Sequence, residues 1–144
     1  MKKLFYAAVT AVMIGAASVR ADMFDRDYAL STSGTGTASR AYAIRGELRG
    51  VAIKRTGDTA IDLGGSNMTV TVTTPYSTAF SYAWDGNTDT FKVPLCVADN
   101  AADGATTTNT YTSVPIAGLC TVAIAPPADV AVTNDFKVTL IYWR

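Results

Sequence analysis

The sequence predicts an all-β protein: a single antiparallel β-sandwich, jelly-roll-like, preceded by an apolar N-terminal segment. Short runs of alternating apolar and polar residues recur along the chain, turn residues separate them, and no helical periodicity stands out beyond residue 24. Charged residues make up only 17% of the chain, and Thr, Ser, Asn and Gly supply most of the remaining polarity, which favours strands and turns over surface helices. A length of 144 residues accommodates one such domain.

The segment 1–21 has the layout of an export signal. Lys2 and Lys3 precede an uncharged, largely apolar stretch of 16 residues, and a short segment of cleavage-site type ends at Ala21. The stretch is shorter than the ~18–20 residues that span a bilayer comfortably. Two interpretations remain open: an export signal cleaved after Ala21, or an anchoring arm that docks on a neighbouring protein. Contact with a membrane is expected only through this segment.

Residues 22–39 are predicted to form a flexible linker. The run Ser31–Thr37 consists only of Ser, Thr and Gly, a composition typical of mobile connectors. The β-sandwich domain is therefore expected to occupy residues 40–144.

Alternation of side chains places the individual strands. Tyr42–Arg55 predicts a strand or a bent strand pair, in which Gly46 and Gly50 permit kinks or bulges. Asn67–Thr74 is the cleanest strand, and two further alternating runs flank the turn at Asp85–Gly86, which is a hairpin signature. The residues expected in the core are Met68, Val70, Val72, Val122, Ile124, Val138 and Leu140.

The terminal run Phe136–Arg144 predicts another half-buried strand. Ile141 and Trp143 fall on the face opposite its core residues, where large apolar side chains need cover from another element or from a partner. We expect these two residues, together with Arg45 and Arg49, to form an interface with other proteins or with copies of the same chain.

Composition argues against several functions. The formal net charge of zero and the pI of about 6.1 provide no field that would attract nucleic acid. The chain contains no histidine, the commonest general base and metal ligand, so we predict no enzymatic activity, no cofactor and no metal site. Asp85–Asp89 has the oxygen spacing of a calcium loop, but Thr90 and Cys96 replace the required Gly and Glu. We interpret this segment as a hairpin turn.

Cys96 and Cys120 are the only cysteines and leave two alternatives open. An exported protein would join them in a disulfide, whereas a protein assembled in the cytosol would keep two thiols. Strand alternation puts Cys120 on the face of Val122 and Ile124, but Cys96 opposite the apolar residues of its own strand. A disulfide requires Cα atoms within about 7 Å of each other.

Charged residues are also unevenly distributed. Basic residues concentrate between Arg40 and Arg55, and aspartates concentrate between Asp85 and Asp103. Two interpretations remain open for these patches: pairing between copies of the chain, or two solvated faces.

Six segments between Arg40 and Arg144 carry a resemblance to a known group of proteins. They are Arg45–Ile53, Asn67–Val72, Val93–Cys96, Val114–Ala117, Leu119–Ile124 and the terminal strand. Together they resemble the small β-sandwich virion proteins of tailed bacteriophages, which decorate the capsid or form accessory fibres and collars.

This resemblance implies a non-enzymatic virion structural protein. It would be located in the virion and act through multivalent contacts with capsid or tail proteins and with copies of itself. The export-like N-terminus departs from that family. The alternative is therefore a secreted bacterial surface β-sandwich, an adhesin or pilin-like subunit, that is cleaved after Ala21.

Overall fold

The computed structural model describes residues 22–99 and 106–144, and these residues form an all-β domain without helix, as predicted. No helix long and apolar enough to cross a membrane occurs in these two ranges. The eight strands are β1 (Met23–Thr32), β2 (Ala38–Arg55), β3 (Met68–Thr73), β4 (Thr78–Trp84), β5 (Thr90–Lys92), β6 (Leu95–Asp99), β7 (Thr106–Ala125) and β8 (Asn134–Trp143).

The first strand corrects the predicted domain boundary. β1 pairs antiparallel with β8 along its whole length, from Met23 opposite Trp143 to Thr32 opposite Asn134. Tyr28 within this strand is fully buried. The prediction of a flexible linker over 22–39 is therefore wrong for β1, and the sheet begins at Met23 rather than at Arg40. Asp25 and Asp27 lie on the outer face, but Arg26 shares the face of Tyr28 and lies 5.1 Å from the centre of the Tyr42 ring. Charged residues therefore occupy both faces of β1 and hide its alternation in the sequence.

A small polar cluster covers the outer face of the β1–β8 pair. Asp27 accepts hydrogen bonds from the Thr139 hydroxyl at 2.6 Å and from the Lys137 ammonium at 3.0 Å. These two hydrogen bonds hold the pKa of Asp27 below its ordinary value. These contacts between β1 and β8 stabilise β1, which is an edge strand of the described sheet and pairs there only with β8.

The second strand bends and joins the two halves of the sheet. The hydrogen-bonded order is β1-β8-β2-β7-β3-β4, with β5 on β2 and β6 on β7. The first part of β2, Ala38–Leu48, pairs with β7, whereas Glu47–Arg55 pairs with β8. A register shift between Leu48 and Gly50 marks the corner. Of the two predicted alternatives, a strand or a bent strand pair, the structure has one continuous strand with a bend.

The two halves of the bent sheet enclose one apolar core. Trp84 of β4 packs edge-on against Phe136 of β8, with ring centroids 5.7 Å apart, although three strands separate them in the sheet. Tyr28 of β1 likewise meets Tyr42 of β2 at 5.0 Å. All seven predicted core residues are buried, and each aliphatic side chain contributes roughly 1.5–3 kcal/mol.

The bend gives the domain two unlike ends. At the end that we call the loop end, four connections lie together: 33–37, 56–67, 85–89 and 126–133. Backbone hydrogen bonds tie them, from Thr56 N to Asp135 O and from Val132 N to Gly34 O, both 2.8 Å. At the opposite end, which we call the corner end, β2 turns beside the last residues of β8.

Candidate protein-binding groove at the corner of the sheet

The corner end carries an open groove of about 810 Å³. The turn of β2 forms one wall, the middle of β7 forms a second, and the end of β8 forms the third. Its lining residues are Arg45, Gly46, Glu47, Arg49, Pro115, Ile116, Ala117, Trp143 and Arg144.

Close packing of two backbones at Gly46 shapes this groove. Gly46 has φ of 152°, and a Cβ atom added there would overlap the carbonyl oxygen of Trp143. Only glycine allows β2 to pass so near the end of β8 while it changes direction. The same approach pairs Glu47 with Trp143 in the ladder. The corner glycine therefore fixes the position of the tryptophan.

A stacked cation and an ion pair order the side chains of the groove. The guanidinium of Arg49 lies 3.8 Å from the centre of the Trp143 ring and donates a hydrogen bond to Glu47 Oε2 at 2.8 Å. The Ser113 hydroxyl of β7 donates to the same carboxylate oxygen at 2.6 Å. Arg49 Nε is buried and has no acceptor in the described part of the chain. These contacts hold an aromatic surface, 39% exposed, in a defined orientation.

Two further arginines at the groove lack such partners. Arg45 and Arg144 are exposed, and none of the ion pairs or hydrogen bonds found among the described residues engages their side chains. A neighbouring depression of about 320 Å³ contains both of them together with Arg26 of β1. Glu47 is the single acidic residue of the groove lining, so the corner end presents positive charge beside an apolar surface.

The structure brings three of the four predicted interface residues together. Arg45, Arg49 and Trp143 all line the groove, but Ile141 does not. Ile141 is half-buried and lies beside Gly50, across which the Phe91 ring packs. Sequence reasoning missed the β7 wall of the groove, because only the long-range pairing of β7 with β2 brings it there.

An outer apolar patch lies near Ile141, on the segment from β5 to the start of β6. Phe91, Val93 and Leu95 each expose more than half of their surface. A Cβ atom at Gly50 would lie 2.6 Å from the Phe91 ring and 3.6 Å from Ile141 Cβ, so these side chains share one face of the bent β2. This patch, Phe91, Val93, Leu95 and Ile141, is a second apolar surface beyond the groove.

The two cysteines are far apart and do not form a disulfide. Cys120 has a free, buried thiol whose pKa burial raises. Cys96 pairs opposite Thr112 of β7, and its thiol contacts the carbonyl oxygen of Ser113 at 3.6 Å. Thr112 and Cys120 are eight positions apart on β7, about 26 Å along a strand, whereas a disulfide needs about 7 Å or less.

The segment Asp85–Asp89 is a turn, but the predicted hairpin around it is wrong, because β4 pairs with β3 whereas β5 pairs with β2. Asp85 accepts hydrogen bonds from the backbone amides of Asn87 at 3.0 Å and Thr88 at 2.8 Å. Hydrogen bonds from Thr88 lower the pKa of Asp85, so its oxygens serve the turn as an ionised acceptor. Trp84 donates its indole N–H to Thr88 O at 2.7 Å. No cluster of metal-ligating side chains occurs within 22–99 and 106–144.

The bend of β2 divides the basic patch that the sequence indicated. Arg45 and Arg49 lie at the corner end, but Lys54 and Arg55 reach the loop end, where Arg55 donates to Asn87 Oδ1 at 3.1 Å. The predicted acidic patch is divided as well, because Asp85 and Asp89 lie at the loop end whereas Asp99 lies on β6, beside the first part of β7. Other connections bring further aspartates to the loop end. Asp103 lies outside the described residues.

Comparison with known proteins adds little to this description. No protein-family model and no curated protein sequence matches the chain. The crystal structure of FlhE is similar over 83% of this chain and 98% of its own, at 12% identity and a TM-score of 0.40. A likeness this low has no bearing on function.

Proposed function

We propose that this protein is a non-enzymatic assembly subunit that works by protein–protein contact through the corner groove. The observation that carries the proposal is the Trp143 ring, held by Arg49 and left partly exposed beside unpaired arginines. Tryptophan and arginine are the residues that most often dominate binding energy at protein interfaces. A pre-ordered aromatic side chain also loses little conformational entropy on binding.

The setting that the start of the sheet favours is the surface or exterior of a bacterium, although Cys96 and Cys120 do not form the disulfide expected of an exported protein. β1 begins at Met23, so cleavage after Ala21 would leave every strand of the sheet intact. The residue that would then come first, Asp22, already accepts a hydrogen bond from the backbone of Arg144 at 3.2 Å. The anchoring-arm interpretation, by contrast, required a flexible linker over residues 22–39. β1 occupies most of that range, so the arm would be joined directly to the sheet.

A component of a bacteriophage virion is the second candidate. The observation that favours it is that exposed apolar side chains occur on more than one surface. Leu119 and Phe91, for example, lie outside the groove, and each exposes more than half of its surface. A subunit in a shell or tail contacts several neighbours at once, which such a distribution suits. Both candidates share the groove as a contact surface.

The mass of the native protein separates the two settings. We expect a chain that starts at Asp22 in the exported fraction of the source bacterium. A chain that retains Met1 and is recovered in purified phage particles would support the virion setting and contradict export.

Photo-crosslinking in the native setting tests the contact surface itself. A photoreactive residue at Pro115, which is exposed on the β7 wall, should form a discrete adduct with a partner protein or a second copy. The same residue at Tyr76, which is 85% exposed on the β3–β4 turn, is the matched control. Equal labelling from both positions, or none from Pro115, would contradict the proposal.

A further inference from the structure

We propose that the corner groove binds the loop end of a second copy of this chain, so that the subunits associate head to tail. This inference rests on the proposed function of the groove as a protein-binding surface. It adds the identity of the partner.

The loop end has the charge that the groove lacks. Six aspartates lie there, all of them exposed, against two basic residues at its rim, Lys54 and Arg55. The aspartates are Asp58, Asp62, Asp85, Asp89, Asp129 and Asp135. They come from three separate connections and from the start of β8, which the fold collects at one end.

The groove end has the opposite character. Arg26, Arg45, Arg49 and Arg144 lie in or beside the groove, and Glu47 is already engaged by Arg49 and Ser113. Asp22 and Asp25 at the start of β1 also lie at this end, but the four arginines outnumber these carboxylates. Complementary potentials of this kind steer association and select partners. Two grooves placed face to face would instead oppose arginine with arginine, which disfavours a symmetric groove-to-groove contact.

The two surfaces cannot meet within one molecule. β8 runs from the loop end at Asn134 to the groove at Trp143, and ten residues of strand span about 30 Å. The pairing is therefore available only between copies. A contact between two different surfaces of the same chain is heterologous, so it produces a closed ring or an open filament according to the rotation between neighbours.

Charge reversal of the two ends tests this directly. The groove variant carries Arg45→Glu and Arg144→Glu, and the loop variant carries Asp58→Lys and Asp129→Lys. All four side chains are exposed and make no hydrogen bond or ion pair within the described residues, so the fold does not depend on them. Sedimentation velocity of the purified chain is the measurement, at low and at high salt.

We expect the wild-type chain to associate at low salt and to dissociate as salt rises. Each variant alone should associate at least about 100-fold more weakly, because the charge difference between the groove and the loop end is then removed. An equal mixture should form heterodimers, since the intact groove of one variant meets the intact loop end of the other. The reversed groove and the reversed loop end are also opposite in charge, so growth beyond the heterodimer is allowed. A control variant with Arg40→Glu and Lys92→Glu, outside both surfaces, should associate like the wild type.

Several outcomes would overturn the inference. They are a wild-type chain that stays monomeric at low salt, a groove variant that associates normally, and a mixture of folded variants that forms no heterodimer. Circular dichroism establishes that each variant is folded. If the chain is monomeric but Pro115 still crosslinks to another protein, the head-to-tail contact fails and the proposed function stands. If crosslinking fails as well, both fail.

Discussion

Replacing Gly46 with alanine should destabilise the domain because the corner of β2 has no room for a side chain. A Cβ atom there would overlap the backbone carbonyl of Trp143, which is fixed in the ladder opposite Glu47. A non-glycine residue at this positive φ costs about 1–3 kcal/mol, and loss of a ladder hydrogen bond adds about 0.5–1.5 kcal/mol. We expect the free energy of unfolding to fall by about 1.5–4.5 kcal/mol in total.

Gly64 provides a matched control for this substitution. It also has a positive φ, 59°, but no atom lies within 4 Å of the position of an added Cβ. Gly64→Ala should therefore show only the conformational cost, about 1 kcal/mol. Urea unfolding of both variants gives the comparison, provided that the slopes of the transitions are equal. Equal losses for Gly46→Ala and Gly64→Ala would refute the close approach at the corner.

Three further predictions concern the groove, the surface charge and the boundary of the domain. Trp143→Ser should weaken association at least tenfold, because the exposed part of the ring is lost, whereas Tyr76→Ser, on the β3–β4 turn, should leave association unchanged in the same sedimentation assay. Asp27→Asn should lower stability by about 0.5–1 kcal/mol at neutral pH. Because the pKa of Asp27 is depressed in the fold, this difference should vanish as pH falls below about 4, and a difference that grows in acid would contradict the assignment. Deleting 1–21 should leave the melting temperature of the domain nearly unchanged. Deleting 1–32 should abolish folding, because β1 contributes buried side chains to the core. A folded product of the longer deletion would contradict the role of β1.

The all-β class and much of the core could be predicted because strand alternation is a local signal. Val70 and Val138 are buried as expected, since each lies in a run whose period is two. β1 escaped prediction because its first five residues are exposed, and three of them are charged. Burial begins only at Tyr28. The strand owes its place to the pairing with β8, a contact more than 100 residues away in sequence.

The candidate site was predictable only in part, for a similar reason. Trp143 stood out because a large aromatic residue on the outer face of a terminal strand needs cover. The stacking of Arg49 on its ring and the placement of Pro115 across the groove depend on how β2 bends and on which strand joins it. Glycines can permit a bend, but the sequence does not specify its direction.

Hydrogen–deuterium exchange of the native assembly tests most directly whether the corner groove is the working surface. Backbone amides should exchange more slowly in the isolated assembly than in the separated subunit at 45–49, 116–117 and 143–144. The turn 74–78, which does not line the groove, should exchange equally in both. Protection confined to other surfaces, with unchanged exchange at the groove, would contradict the account.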